Sequence, residues 1–206
     1  MCLSLAPAAN TPLHTPVRKP EFLSKLHFGF KAGRQHLHGV PFDLPPSKPG
    51  GPRATITLNS EEDRASRKPA PPVRRVPVNA RVRALYFLHG AFFSWSPAAG
   101  GRYRLIYEDA PSHAVDLFPY WPGTNPTDVA AYQDSWRALP QFESDIAKPV
   151  LVTGEVAPQN FDFFFYVYEL RNPRPDVLVQ AIEFSTPSSE SYTSLVIAGI
   201  TALLDS

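Results

Sequence analysis

The chain has 206 residues, enough for one domain of sandwich size with extended ends. Its formal net charge is +1, so no overall electric field points to nucleic acid or to an acidic surface. Its 24 prolines argue against a helical bundle, and an aromatic content of 12% suits β-structure. Cys2 is the one cysteine, so no internal disulfide is possible, and no apolar run is long enough to predict a transmembrane helix.

The first part of the chain is rich in proline, alanine and threonine and has no sustained periodicity. The sequence therefore predicts a flexible arm or linker over residues 1–25 and one β-sandwich domain over residues 26–206. The start lacks a basic region, so we expect no signal peptide. Such an arm would suit a linker to an adjoining domain of a larger protein.

Short β-rich runs follow, separated by turn signals. Residues 83–89 are apolar on both faces, which predicts a strand buried on both sides. Pro77 favours a sheet edge for the run that contains it, and the charged, proline-rich residues 59–72 are predicted to form an exposed loop. The strands predicted before the central stretch lie at residues 54–58, 73–78, 83–89, 103–108, 114–118 and 150–156.

The most organised stretch of the sequence is residues 161–185. Two β-rich runs, 161–170 and 177–184, flank a turn that is set by prolines at residues 171–176. We expect these two runs to be paired strands at the centre of the fold. Residues 195–204 are apolar on every face, and their β-branched residues favour a buried last strand over a helix.

One segment has a helical pattern instead of a strand pattern. Asn125 suits a helix N-cap, with Pro126 at the first helical position. The residues at i, i+3, i+4 and i+7 that follow are Val129, Tyr132, Gln133 and Trp136. This pattern predicts one short inserted helix over residues 126–138 that covers one end of the sheet.

The number of short strands and the absence of an internal repeat predict an all-β fold. The best interpretation is a two-sheet antiparallel β-sandwich of the jelly-roll type. Several pieces also occur in a fixed order, namely GVPFDL (39–44), ALYFLHGAF (84–92), YRLIYED (103–109), VLVTGE (150–155), YVYELRNPRPDVLVQAIEFS (166–185) and LVIAGIT (195–201).

Together these pieces resemble the galactose-binding-like β-sandwich domains that are attached to bacterial polysaccharide-degrading enzymes. The resemblance covers residues from about 26 to 204. It implies a jelly roll that binds carbohydrate or acts as a structural spacer beside a catalytic domain. It also implies an extracellular or periplasmic location, and it carries no catalytic residues to transfer.

Sugar sites use aromatic rings against the apolar face of the sugar and planar polar groups for its hydroxyls, and they lie on loops or on a concave sheet face. Candidates for these roles occur in the predicted loops and on the predicted helix: Phe93, Trp95, Arg102, Asp109, Tyr120, Trp121 and Trp136. The alternative is that the aromatic residues cap the ends of the sandwich as part of the core.

Other chemistry has less support. His36 and His38 could form a metal pair, but no third ligand lies nearby in the sequence. A structural calcium would need a carboxylate among backbone carbonyls, for which Asp43 and Glu183 are the candidates. We expect His89, at the end of an apolar strand, to be a core-edge histidine that is hydrogen-bonded to the backbone.

No acidic pair, nucleophile motif or phosphate-binding loop predicts catalysis. The basic run at residues 64–68 follows three acidic residues that offset it, so no nucleic-acid patch is expected. The sequence therefore predicts a carbohydrate-binding or accessory β-sandwich module that is not an enzyme and needs no cofactor. Its expected partners are a carbohydrate and an adjoining domain, with neither nucleic acid nor membrane. The alternative is a structural or protein-interaction domain without a sugar site.

Overall fold

The structure is a computed structural model that describes residues 1–12, 27–46, 53–58, 73–94, 97–121, 129–135, 142–156, 159–187 and 193–205. This part of the chain is all-β and contains no helix, so it has no helical segment that could cross a membrane. The strands are β1 (Cys2–Leu3), β2 (Thr11–Pro12), β3 (His27–Phe28), β4 (Gly33–Leu37), β5 (Val40–Leu44), β6 (Arg53–Leu58), β7 (Arg74–Ala80), β8 (Val82–Phe92), β9 (Gly101–Tyr107), β10 (His113–Pro119), β11 (Ala130–Tyr132), β12 (Ala147–Val156), β13 (Gln159–Arg171), β14 (Val179–Ser185) and β15 (Ser194–Leu204).

Two sheets form the body of the fold, as in a β-sandwich. The eight-stranded sheet has the order β2-β6-β15-β8-β13-β12-β3, with β1 paired to β15. The five-stranded sheet has the order β11-β10-β9-β14-β7, and β4 and β5 form a separate hairpin. The pairing of β10 with β11 is parallel, and the other strand pairings of the described chain are antiparallel.

The main core lies between the two sheets. Alternate residues of each strand point inward, so that Phe87 and Tyr168 of the eight-stranded sheet share one cluster with Leu105, Ile182 and Phe184 of the five-stranded sheet. All five side chains are buried. The structure confirms the predicted strands at residues 83–89, 103–108 and 114–118, the last two of which form an antiparallel hairpin.

A second apolar cluster covers the opposite face of the eight-stranded sheet. Phe28 packs edge-on against Phe163 and Phe165, with ring centroids 5.5 and 5.3 Å apart. Phe42 of the β4–β5 hairpin lies over Gly199, where an added Cβ would be 2.9 Å from its ring. Because both faces of this sheet are covered, its central strands are apolar on both sides, as predicted for residues 83–89 and 195–204.

A β-bulge in β15 allows that strand to serve both clusters. Ile197 pairs with His89 and Gly199 pairs with the preceding Leu88, so Ala198 is an extra residue in β15. The bulge shifts the alternation by one residue, and both Ile197 and Ile200 therefore point into the core between the sheets.

The two strands of the 161–185 stretch do not pair with each other, contrary to the prediction. β13 pairs with β8 and β12 in one sheet, whereas β14 pairs with β9 and β7 in the other. The intervening turn carries the chain across the sandwich. Asn172 fixes this turn to the start of β8. Its Nδ2 donates to the carbonyl of Val82 at 2.8 Å, and its backbone N–H donates to the carbonyl of Arg83 at 2.9 Å.

The prediction of a flexible arm over residues 1–25 is wrong for residues 1–12. β1 and β2 pair with β15 and β6 respectively, and Leu5 and Ala8 are buried in the main core. The side chain of Asn10 exchanges two hydrogen bonds with the backbone of Thr57, at 2.8 and 2.9 Å, and so replaces a strand neighbour. Residues 13–25 lie outside the described residues, as does the predicted loop at 59–72.

The predicted helix at residues 126–138 is also wrong over its described part, residues 129–135. Ala130–Tyr132 is strand β11, which lies beside β10. Tyr132 and Gln133 are buried as the helical pattern required, but Val129 is exposed, and the backbone hydrogen bonds go to neighbouring strands and not to the preceding turn. Residues 126–128 and 136–138 lie outside the described residues.

Candidate functional site

Three parts of the chain meet at one end of the sandwich, which we call the loop end: residues 93–94 and 97–100 after β8, residues 119–121 after β10, and residues 129–135 around β11. The backbone N–H of Tyr120 donates to the carbonyl of Tyr132 at 2.6 Å. The backbone N–H of Ser94 donates to Oδ2 of Asp134 at 2.7 Å. These bonds join the loops in which the sequence placed its candidate site.

Ser135 fixes the loop end to the eight-stranded sheet, beyond the point where β8 and β13 pair. Its Oγ accepts from the backbone N–H of Ala91 at 3.1 Å and donates to the carbonyl of Phe164 at 2.7 Å. Its own N–H donates to the carbonyl of Ala91 at 2.7 Å. The buried serine therefore fills a gap between two strands, and the segment that carries it joins both sheets.

A buried histidine underlies the loop end. His89 Nε2 lies 2.9 Å from the carbonyl oxygen of Ala131, and its Nδ1 lies 2.8 Å from the hydroxyl oxygen of Tyr103. Because a carbonyl oxygen can only accept, Nε2 carries the proton, and Nδ1 accepts from the tyrosine hydroxyl. The ring stacks on Tyr168 with centroids 5.4 Å apart. The predicted backbone hydrogen bond of His89 is confirmed, and the tyrosines around it went unrecognised in the sequence.

Burial shifts the titration of this group and of its neighbours. Loss of hydration lowers the pKa of His89 to about 4, partly offset by its hydrogen bond to Ala131. The same cause raises the pKa of Tyr103 well above its usual value and raises that of Tyr168 to about 12. The cluster is therefore uncharged at neutral pH.

A stack of three aromatic rings connects the loop end to the core. The ring of Tyr120 stacks on Phe142 with centroids 5.0 Å apart, and Phe142 stacks on Tyr166 with centroids 5.1 Å apart. Tyr120 is half-buried, whereas Tyr166 is fully buried. Burial raises the pKa of Tyr166, whose hydroxyl has no hydrogen-bond partner among the described residues. Phe142 therefore supports one face of the Tyr120 ring, the outermost ring of the stack.

The structure gathers some of the predicted site residues at this end. Tyr120 and Trp121 are adjacent and half-buried, and Phe93, also half-buried, packs on the second apolar cluster with a φ of 61°. Trp95 and Trp136 lie outside the described residues.

The two predicted polar partners do not lie together. Arg102, near the start of β9, makes a bidentate ion pair with Asp116 on the neighbouring strand, at 2.6 and 2.9 Å. Asp109 follows the other end of β9, a strand of 7 residues. At about 3.3 Å per residue, roughly 20 Å separates the two ends of that strand. Asp109 therefore belongs to the opposite end of the sandwich.

The candidate calcium ligands are both matched by arginine side chains. Asp43 pairs with Arg34 at 2.7 Å, and the guanidinium holds the pKa of that carboxyl below its usual value, chiefly through the hydrogen bond. Glu183 pairs with Arg75 and with Arg104. In the part of the chain that the structure describes, no group of three or more His, Cys, Asp or Glu residues could hold a metal ion.

His38, one of the predicted metal pair, bonds instead to the backbone. Its Nε2 lies 2.8 Å from the carbonyl oxygen of Pro149 on β12. The contact ties the tip of the β4–β5 hairpin to β12.

The loop end therefore combines the ring of Tyr120, which stacks on Phe142, with the neighbouring Trp121 and the carboxylate of Asp134. This arrangement suits the binding of a flat, partly apolar ligand surface with polar edges. No family model matches the sequence, and comparisons with curated proteins and with solved structures also found no match.

Proposed function

We propose that this chain is a non-catalytic accessory module, a jelly roll of the galactose-binding-like type, that binds carbohydrate at its loop end. The observation that carries the proposal is the stack of Tyr120 on Phe142 and Tyr166. A ring that is already fixed in place loses little conformational freedom when a sugar packs on it. A half-buried ring also leaves part of its surface for a ligand.

The surroundings of the stack supply the rest of a sugar site. Trp121 follows Tyr120 directly and adds a second aromatic side chain that is half-buried. Asp134 is half-buried at the same end, and a carboxylate can accept several hydrogen bonds at once, which suits sugar hydroxyls.

A non-catalytic role agrees with the placement of the acidic side chains. Asp116 and Glu183 are held in ion pairs with arginines across the five-stranded sheet. Asp109 lies on a turn at the opposite end of the fold from Asp134. Glycoside hydrolysis needs two carboxyl groups on either side of one bond, roughly 5–10 Å apart, and these residues offer no such pair.

The test is affinity electrophoresis in gels that contain plant and bacterial polysaccharides. The variants are Trp121→Ala, Tyr120→Ala and the matched control Tyr120→Phe, which keeps the ring. We expect both alanine variants to weaken retardation by about tenfold, equivalent to about 1.4 kcal/mol, whereas Tyr120→Phe retains it. Near-ultraviolet circular dichroism checks that each variant is folded.

The second candidate is a structural or protein-interaction domain without a sugar site. It is favoured by Arg102, which already directs its Nε and one terminal nitrogen to Asp116 within the chain. If the folded wild-type protein binds no polysaccharide, or if the alanine variants bind as well as Tyr120→Phe, the sugar site at the loop end is wrong and this candidate takes its place.

A further inference from the structure

A second concave surface lies on the outer face of the five-stranded sheet, far from the loop end. Two register shifts coincide there. Between Val179 and Ala181 of β14, the pairing with β7 and the pairing with β9 both slip by one residue. Bulges of this kind bend a strand and are over-represented beside binding sites. The bend produces an open groove of about 490 Å³, which we call the sheet groove.

The sheet groove has an apolar floor and a polar rim. The backbone of Asn79 has a φ of 50°, a left-handed conformation, and its side chain is exposed on the same face of β7 as Arg75 and Pro77. The groove is lined by Arg75, Pro77, Asn79, Glu108, Leu178, Gln180 and Ala181. Its volume falls within the usual range for small-ligand sites, about 300–1,000 Å³.

The rim carries three polar side chains that form no hydrogen bond with the rest of the described chain. Asn79, Gln180 and Glu108 are exposed, and their side chains have no hydrogen bond to any described residue. Two amides and a carboxylate together offer both donors and acceptors around one cavity. Arg75 directs its Nε and one terminal nitrogen to Glu183, so its other terminal nitrogen remains as a donor.

This chemistry identifies the class of ligand. The mixture of donors and acceptors on planar groups matches a neutral polyhydroxylated molecule, whose hydroxyls both donate and accept. One arginine and one glutamate leave the rim without net charge, which gives no attraction for a polyanion. The small side chains of the floor, Pro77 and Ala181, leave room for a ring to lie against them.

We propose that the sheet groove is a separate binding site for a saccharide unit, distinct from the aromatic stack of the loop end. Glu108 follows the end of β9 that is remote from Arg102, so the two sites are roughly 20 Å apart along that strand. The proposal rests on the carbohydrate-binding function proposed above and adds a site to it. A glycan long enough to contact both sites would bind more tightly than a short one. Once one site is occupied, the rest of the glycan is held at a high effective concentration near the other site.

The test is an NMR titration of the full chain with soluble neutral oligosaccharides derived from xylan, β-glucan and galactan. The side-chain amide resonances of Asn79 and Gln180 report on the sheet groove, and the backbone amide of Trp121 reports on the loop end. We expect at least one oligosaccharide to shift the two side-chain amides with a single binding curve. Gln180→Ala weakens that curve roughly five- to tenfold, the effect of losing one or two hydrogen bonds.

Asn79→Gly is the second variant. Glycine accepts the left-handed backbone without strain, so the fold is kept while the amide is removed. Trp121→Ala serves as the control, because it leaves the sheet groove intact and is expected to leave the response of Gln180 unchanged.

The outcomes separate the two proposals. If a sugar shifts Trp121 but not the groove amides, the sheet groove is not a site and the loop end stands. If the Asn79 side-chain amide shifts with the same binding curve in the wild type and in Gln180→Ala, the contact is not the one argued, and the proposal is overturned. If no sugar shifts any of these resonances, both proposals fail together.

Discussion

Nδ1 of His89 lies 2.8 Å from the hydroxyl oxygen of Tyr103, and the two residues belong to opposite sheets. Since the other ring nitrogen bonds to Ala131, one neutral imidazole joins the eight-stranded sheet, the five-stranded sheet and the loop end. The titratable groups that face it are Tyr103 on β9, Tyr132 on β11 and Tyr168 on β13. None of them can compensate a charge on the imidazole.

The protein is expected to lose stability in mild acid because of His89. Its pKa is about 4 in the folded chain and about 6.5 when unfolded, so the unfolded state binds the proton more readily. The stabilising effect of the neutral ring is complete above pH 6.5 and is lost as the pH falls towards 4. The loss amounts to about 3 kcal/mol. Urea unfolding at a series of pH values between 7 and 4 measures it.

His89→Gln is the comparison for this measurement. The variant is less stable at pH 7, but the glutamine does not titrate, so its free energy of unfolding should fall less steeply between pH 6.5 and 4. Equal slopes for the two proteins would mean that carboxylates alone determine the acid sensitivity.

Asn172→Ala is expected to destabilise the fold by about 2–4 kcal/mol. The asparagine accepts from the hydroxyl of Tyr107 at 2.6 Å and donates to Val82, so its removal leaves buried polar groups on two strands without partners. Asp176→Ala changes an exposed residue of the same connection and should alter stability by less than about 0.5 kcal/mol. Thermal or urea unfolding distinguishes the two variants, and similar losses would contradict the role assigned to Asn172.

Ser135→Ala should loosen the loop end. The change leaves the N–H of Ala91 and the carbonyl of Phe164 without the serine hydroxyl in a buried gap, which costs about 1–3 kcal/mol. Hydrogen exchange is the sharper measurement, because the amide of Ala91 should lose protection while amides of the β9–β10 hairpin keep theirs. The exposed Ser112→Ala is the control, and unchanged exchange at Ala91 would show that the hydroxyl is dispensable.

Asn79 allows a test of backbone strain. A left-handed backbone costs an ordinary residue about 1–2 kcal/mol, and asparagine and glycine tolerate it better. Asn79→Ala should therefore be about 1 kcal/mol less stable than Asn79→Gly. Urea unfolding compares the two variants, and equal stabilities would indicate that the backbone at Asn79 relaxes freely.

Local patterns in the sequence were enough to place most strands but not to pair them. The alternation of Tyr103 and Leu105 with polar neighbours marks a half-buried strand, and the apolar residues of β8 mark one that is covered on both sides. Pairing depends on residues far apart in the chain. Nothing near residue 172 indicates that its side chain bonds to Val82, and so the sequence could not show that β13 and β14 lie in different sheets.

The wrong prediction of a helix at residues 126–138 has a related cause. The spacing of Val129, Tyr132 and Gln133 fits a helix, but in the structure Val129 is exposed whereas Ala130 and Ala131 are buried. Ser135 bonds to Ala91 of β8 and to Phe164 of β13, whereas a helix would satisfy its backbone groups within its own segment. The sequence placed Tyr120 and Trp121 in a loop but did not show which segments meet there, and the sheet groove arises from a slip in strand register that no local pattern shows.

The position of β15 has a consequence for biosynthesis. This strand comes last among the described elements, yet it lies in the interior of its sheet, between β6 and β8. No N-terminal fragment that stops before residue 194 can form that sheet, and while such a chain is being translated, the apolar edge of β8 is left uncovered. The eight-stranded sheet can close only after β15 has been synthesised, and topologies of this kind fold slowly because their contacts are distant in sequence. Until β15 is made, the growing chain therefore carries an unpaired strand edge that is open to pairing with other chains.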